Sequence, residues 1–233
     1  MVSEGKFPRS LSGTLVNLQL ELYKFQREFW AKLPSEKAEI IRGATLSLAK
    51  DFQSRRLLRI DDEAPDFVLP NSLGQQISLS DHLKQGAVVL SFYFGGWCPF
   101  CNLELRAYQS LISKIRALGA SILAISPQTI QASQLTSLNN GLSFDLLSDQ
   151  GCQVACAYGI DFKLSDSLKV LYTELGHALP VFNRTNDWQL PVPATFIIDR
   201  HRHIALAHID VDYSQRYEPD DAIAILLSLF LAA

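Results

Sequence analysis

Ser91-Phe92-Tyr93-Phe94-Gly95-Gly96-Trp97-Cys98-Pro99-Phe100-Cys101 is the stretch whose reading decides the fold. It closes an apolar run, Ala87 to Phe94, with two glycines, a tryptophan and a Cys-x-x-Cys. A helical pattern follows at once, with Leu105, Tyr108, Ile112 and Ile115 recurring every three or four residues. Buried strand, glycine turn, two cysteines and helix make the order that thiol–disulfide chemistry requires. Cys98 falls at the helix start, where unpaired N–H groups and the positive dipole end favour a thiolate. Pro99 suits the first helical position, because its missing N–H would be unpaired there anyway. Cys101, one turn on, lies roughly 5–6 Å away at Cβ, from where modest adjustment reaches disulfide distance. Cys98 is thus the expected attacking thiol and Cys101 the resolving one. Gly95 and Gly96 are expected to leave the backbone open to a partner. The alternatives are half a zinc site or two small buried residues. A zinc site wants a second Cys/His pair at ligand spacing, and none is evident.

The chain has 233 residues, 48% hydrophobic and 19% charged, enough for one substantial core and an extension. A formal net charge of -3 gives no electrostatic case for nucleic acid or an anionic membrane. Met1-Val2-Ser3-Glu4-Gly5-Lys6 lacks a basic-then-apolar signal pattern. The apolar run Ala222 to Ala233 is well short of the roughly 20 residues of a spanning helix. Only four cysteines occur, two of them in the motif, unlike a disulfide-stapled secreted scaffold. The expectation is a cytoplasmic protein without a membrane or nucleic-acid partner.

Working outward, an apolar stripe Leu11, Leu15, Leu18, Leu22, Phe25, Phe29 predicts one helix. Leu33-Pro34-Ser35 breaks it, with Ser35 a candidate cap for a second helix carrying Ile40, Ile41, Ala44, Leu48 and Phe52. Residues 1–60 are therefore an N-terminal helical extension, and 61–233 the main domain. The extension either packs on that domain's core or serves as a homodimerisation arm. Beyond it, Ile77 to Leu79 reads as a short strand, with Ser80 or Asp81 capping a brief helix. Residues 121–126, 144–149, 191–199 and 203–210 read as strands, and 128–138 and 167–175 as helices. A small helix carries Cys152 and Cys156, four apart and so on one face. They are either a second redox pair or small buried residues. Strands alternating with helices, then a closing hairpin and an acidic-started helix at Glu218-Pro219, argue for an α/β layered domain with a mixed sheet. His201, His203 and His208 cluster in sequence, but nothing completes a ligand set. Neither a metal nor a cofactor is expected.

Several segments together resemble a known family. They are Ala64-Pro65-Asp66-Phe67-Val68-Leu69-Pro70, Trp97-Cys98-Pro99-Phe100-Cys101-Asn102 with Glu104-Leu105, and Ala124-Ile125-Ser126-Pro127-Gln128. Leu147-Ser148-Asp149, Leu190 to Asp199, and Asp212-Tyr213 with Arg216, Glu218 and Pro219 complete the set. The chain is similar to the peroxiredoxin-like branch of the alkyl hydroperoxide reductase/thiol-specific antioxidant (AhpC/TSA) family, which implies a thioredoxin-like fold. The resemblance implies a cis Val192–Pro193 peptide beside Cys98, exposing the Val192 backbone to an extended substrate. It implies an oxidoreductase with an antioxidant or redox-homeostasis role, exchanging disulfides at Cys98 and Cys101. The other implied activity is reduction of hydrogen peroxide or alkyl hydroperoxides through Cys98, with thioredoxin or another dithiol as electron donor.

The departures are specific. The family's Thr or Ser three residues before the peroxidatic Cys is Gly95 here, its Pro seven before is Ser91, and its catalytic Arg aligns with Pro193. The Thr hydroxyl and the Arg guanidinium hydrogen-bond peroxide and stabilise charge as O–O breaks. Arg216 or Arg202 is a candidate substitute; the simpler role for each is a surface or salt-bridge residue. Thioredoxins carry a buried Asp six residues before the first Cys, where this chain has Phe92. Glu104 is the nearest carboxylate in sequence, either a proton shuttle or a charge favourable near a helix N-terminus. Trp97 is expected to pack beside the cysteines and shield the disulfide.

Overall fold

The computed structural model describes residues 17–232. Leu11 and Leu15 of the first apolar stripe lie outside the described residues. The chain opens with two helices, α1 (Leu18–Lys32) and α2 (Ser35–Gln53), and a small hairpin, β1 (Val68–Pro70) and β2 (Gln76–Ser78). Next come α3 (Leu79–Leu83), β3 (Val88–Phe92), α4 (Pro99–Ala117), β4 (Ser121–Ser126), α5 (Ile130–Asn140) and β5 (Asp145–Ser148). Then follow α6 (Gln153–Ala157), β6 (Asp161–Lys163), α7 (Asp166–Glu174), α8 (Leu179–Asn183) and β7 (Gln189–Pro191). The chain closes with β8 (Ala194–Ile198), β9 (Ile204–Ile209) and α9 (Pro219–Ala232).

The central sheet has the order β5-β4-β3-β8-β9. Strands β3, β4 and β5 run parallel, while β8 pairs antiparallel with both β3 and β9. Every residue of β3 is buried, as a central strand covered on both faces requires. Alternation sends Val88, Leu90 and Phe92 to one face, against Leu79, Leu83, Val154 and Tyr158. Val89 goes to the other, where Tyr108, Ile112 and Ile115 of α4 pack with Ala222 and Leu226 of α9. The α/β layered sheet and thioredoxin-like architecture expected from the sequence are what the chain forms.

Two local expectations are corrected. Ser35 does not cap α2: it is the first helical residue, and Pro34 holds the cap position without a side-chain hydrogen bond. The cap of α3 is Ser78, whose hydroxyl accepts from Asp81 N. Between 161 and 190 the structure adds β6, β7 and α8. Strands of three residues are too short to show a period of two, and this pair closes only through residues far apart in sequence.

The apolar side of α1 packs onto α4. Leu18 and Leu22 are buried in the cluster that contains Cys98, Phe100 and Cys101. Phe25 meets the Phe100 ring edge-on at 5.0 Å. The apolar face that a dimerisation arm would use is covered by this chain's own core.

Candidate active site

Cys98 is the residue before α4, extended at φ -88° and ψ 115°, and Pro99 follows at the first helical position. The Cys98 sulfur accepts a hydrogen bond from Cys101 N at 3.4 Å. Both cysteines are free thiols, and both are buried.

The glycine turn serves packing inside the protein rather than the approach of a partner. Gly95 sits at φ +152°, and a Cβ there would meet Trp97 Nε1 at 2.6 Å. A Cβ on Gly96 would stand 2.1 Å from Thr136 Oγ1. Gly96 N donates to Gln128 Oε1 at 2.8 Å, and Asn102 Nδ2 donates to Gly96 O at 2.8 Å. The turn is pinned from both sides, which corrects the expectation of an open backbone.

Trp97 is half-buried beside the cysteines. It stacks on Phe94 at 5.9 Å and on His177 at 5.1 Å, and meets Tyr172 edge-on at 5.6 Å. Tyr213 joins the same group, 6.3 Å from Phe94 and 5.4 Å from Phe100. The sequence points to Tyr213 only within the Asp212-Tyr213 segment of the resemblance, and to Tyr172 and His177 not at all; all three lie far along the chain and share no local motif with the cysteines.

Beneath the thiols lies a buried ion pair. Arg216 Nε donates to Glu104 Oε2 at 2.8 Å, with both side chains at most 2% exposed. Nη1 donates to the carbonyls of Tyr213 and Gln215, and Nη2 approaches Cys101 Sγ at 3.5 Å. Thr195, placed under α4 by the β3–β8 register opposite Ser91, reaches the other Glu104 oxygen at 3.5 Å. Glu104 is therefore not a solvated charge at the helix start, and Arg216 is no surface residue. The salt-bridge role for Arg216 is the one found, with a contact to a thiol added. Arg202 stays near the surface, paired with Glu63 and Asp66.

Electrostatics follow this placement. Burial, the hydrogen bond to Cys101 and the Cys101 charge push the Cys98 thiol well above its ordinary range. Burial opposes ionisation of Cys101 too, but the Cys98 hydrogen bond and the Arg216 charge outweigh it and bring that thiol down to about 6. The pair thus shares one proton, and the nearby guanidinium favours the charge at Cys101. The sequence expectation put it on Cys98; removal from water at the helix start outweighs the dipole there. Glu104 is raised to about 7 by burial, Arg216 pulling it down and Cys101 pushing it further up.

The Val192–Pro193 peptide is trans, since no cis bond occurs among the described residues. This corrects the expectation from the resemblance. Val192 N donates to Ile160 O at 2.6 Å, and Pro193 O accepts from Asp210 N at 3.3 Å. The segment runs from β7 into β8 as an ordinary extended link, and trans is the lower-energy isomer. Val192 and Pro193 line a cleft of about 320 Å³ with Phe94, Tyr172, Tyr213 and Leu48 of α2.

Cys152 and Cys156 are not brought to this site, nor do they share a helix face. Cys152 caps α6 in a left-handed conformation at φ +53° and is buried in the core on the other side of the sheet. Cys156 is exposed. Burial, and then Asp149, push the Cys152 thiol far up. His201 and His203 are exposed, and His208 tilts against the ring of Tyr217.

A family model described as AhpC/TSA family matches residues 60–207. A Coxiella burnetii protein named as a peroxiredoxin, bcp, is 33% identical over 103 residues, 44% of this chain and 68% of that one. The thiol-disulfide oxidoreductase ResA of Halalkalibacterium halodurans is 24% identical over 184 residues, 78% of this chain and 87% of that one. The crystal structure of peroxidoxin BcpB from Mycobacterium tuberculosis superposes with a TM-score of 0.58 at 24% identity, covering 74% of this chain and 98% of that one. The chain belongs to the AhpC/TSA family and is an oxidoreductase of it.

Proposed function

We propose that this protein is a thiol-disulfide oxidoreductase in which Cys98 attacks and Cys101 resolves. One observation carries the choice: the guanidinium at the site faces Cys101, and among the described residues the hydrogen-bond donors at Cys98 belong to Cys101. A fast peroxidase needs donors around the attacking sulfur to hold the peroxide and stabilise the charge on its distal oxygen as O–O breaks. Gly95 and Pro193 bring no side-chain donor. A shared proton suits a dithiol instead. When it passes from Cys98 to Cys101, a Cys98 thiolate stands at the N-terminus of α4. That thiolate attacks a substrate disulfide R–S–S–R′, forms Cys98–S–S–R′ and releases R–S⁻. The proton on Cys101 passes to R–S⁻, and the Cys101 thiolate then displaces R′–S⁻ from Cys98.

Trp97 and Pro99 frame the pair, and Val192 and Pro193 offer the wall along which an extended protein substrate would lie. Thioredoxin or another dithiol returns the disulfide to the reduced form. With two of four cysteines in the motif and the others unpaired, we place this chemistry in the cytoplasm, in redox homeostasis. We keep residues 1–60 as an extension to the domain 61–233, since the family match begins at residue 60. A homodimer through the extension would have to use its outer side, where Tyr23 and Leu46 are exposed.

The second reading is a thioredoxin-dependent peroxidase acting on hydrogen peroxide or alkyl hydroperoxides. It draws on the peroxiredoxin names among the relatives. Stopped-flow tryptophan fluorescence of the reduced protein separates the two. With hydrogen peroxide we expect a rate no better than that of a free thiolate, and with a protein disulfide a much faster change that Cys98→Ser abolishes. A fast peroxide reaction lost in Cys98→Ser would reverse the assignment.

A further inference from the structure

We infer that Arg216, oriented by Glu104, is the positioning residue for the resolving thiol, holding the charge of Cys101 whenever the Cys98–Cys101 disulfide closes or reopens. The inference rests on the dithiol reading above and adds to it which groups govern the second step.

The geometry is hard to account for as a structural ion pair alone. Glu104 and two carbonyls satisfy Nε and Nη1, which leaves Nη2 directed at the Cys101 sulfur at 3.5 Å. A guanidinium keeps its charge at any working pH, and in a buried site its field on a sulfur at contact is weakly screened. Among the described residues, the other ionisable groups around the cluster add no cation. Cys98, Tyr93, Tyr108, Tyr172 and Tyr213 are neutral or anionic, and burial lowers His208, which keeps its imidazole uncharged at neutral pH. Arg216 is therefore the positive charge available to a Cys101 thiolate, shared with the Glu104 carboxylate.

In the closing step the Cys101 thiolate forms a bond to Cys98 Sγ while the Cys98–S bond to R′ breaks. The electron pair and negative charge leave with R′–S⁻, and no further proton or electron is needed. Arg216 then faces Glu104 alone. In the reverse step, an incoming dithiol attacks Cys98, and Cys101 departs as a thiolate onto Arg216. Removing the guanidinium should make Cys101 a poorer leaving group, and removing the competing carboxylate should make it a better one.

The test follows ultraviolet thiolate absorbance against pH in the reduced full-length protein, beside the midpoint potential in a dithiothreitol redox buffer. Arg216→Met should raise the first thiol pKa by about 1–3 pH units, and Arg216→Lys should restore much of the shift. Glu104→Gln should lower it. Opposite signs from two partners of one ion pair are not what lost packing would produce. An unchanged titration in Arg216→Met, or a shift of the same sign in both variants, would overturn the inference. If Arg216→Met does not fold, Arg216→Gln takes its place: a rise in the first thiol pKa supports the inference, and a fall or no change overturns it. Should mass analysis of the wild type find no Cys98–Cys101 disulfide in the redox buffer, the dithiol reading itself fails, and this inference with it.

Discussion

The side-chain amide of Gln19 donates to the backbone carbonyl of Arg216 at 2.5 Å, joining the first helix to the residue that faces Cys101. The tie is not isolated. Glu218 accepts from Leu18 N at 3.1 Å and Gln19 N at 3.2 Å, capping α1 from the far end of the chain. Gln26 Nε2 donates to Ser214 Oγ at 2.6 Å. The extension thus braces the segment that carries the guanidinium, and also covers α4.

Loosening that brace should be measurable. Glu218→Ala removes the acceptor for two orphan N–H groups of α1, at a cost of about 0.5–2 kcal/mol. We expect faster amide exchange along α1 and at residues 213–217, with the central strands unchanged. Exchange confined to α9 would refute the brace.

Cys98→Ser should reduce turnover of a protein disulfide to background, since it removes the attacking sulfur. Cys101→Ser should instead accumulate a mixed disulfide on Cys98, seen as a mass adduct released by dithiothreitol. An adduct on Cys101 in the Cys98→Ser protein, with turnover retained, would reverse the two roles.

The buried ion pair makes a stability prediction. Breaking it by Glu104→Leu leaves the guanidinium buried without its carboxylate, and should cost about 3–5 kcal/mol in urea unfolding. Replacing both partners with Glu104→Leu/Arg216→Met should cost clearly less than the single change, because no charge is stranded. Simple additivity of the two single effects would count against coupling.

The stability of the reduced protein should depend on pH with two opposing limbs. Burial raises Glu104 to about 7 from 4.5, so the folded state holds a proton there that the unfolded chain has shed. That contribution is fully present below 4.5 and is lost as pH rises through about 7. Cys101 runs the other way: lowered to about 6 from 9.0 despite burial, it contributes stability above 9.0 that is lost as pH falls through about 6. Urea midpoints should fall from acid pH, flatten near neutrality, and rise toward about pH 9. Glu104→Gln should remove the acid-side fall, and Cys101→Ser the alkaline-side rise.

Gly96→Ala tests the pinned turn. The new Cβ would lie 2.1 Å from Thr136 Oγ1, so the turn or α5 must shift. We expect a loss of about 1–3 kcal/mol, partly recovered by Thr136→Ala, with thermal unfolding as the measurement. A neutral Gly96→Ala would mean that the turn yields freely.

What the sequence by itself determined is what short-range chemistry encodes. The continuous apolar run ending at Phe94 marks a strand buried on both faces, and the period through Leu105, Tyr108, Ile112 and Ile115 marks the helix that covers it. Pro99 marks where that helix starts, and Cys98 and Cys101 follow one turn apart. All of these depend on neighbours a few residues away, so composition and spacing suffice to read them. The tertiary structure alone decided where Arg216 points. Glu104 and Arg216 are 112 positions apart, and Cys101 and Arg216 are 115 apart. No period links such residues; they meet because the antiparallel turn from β8 to β9 returns the chain beneath α4. The same holds for the trans Val192–Pro193 link and the left-handed Cys152, whose conformations are set by the elements on either side. Which thiol holds the charge is likewise a tertiary outcome, because burial and a distant guanidinium together outweigh the helix dipole that the local sequence supplies.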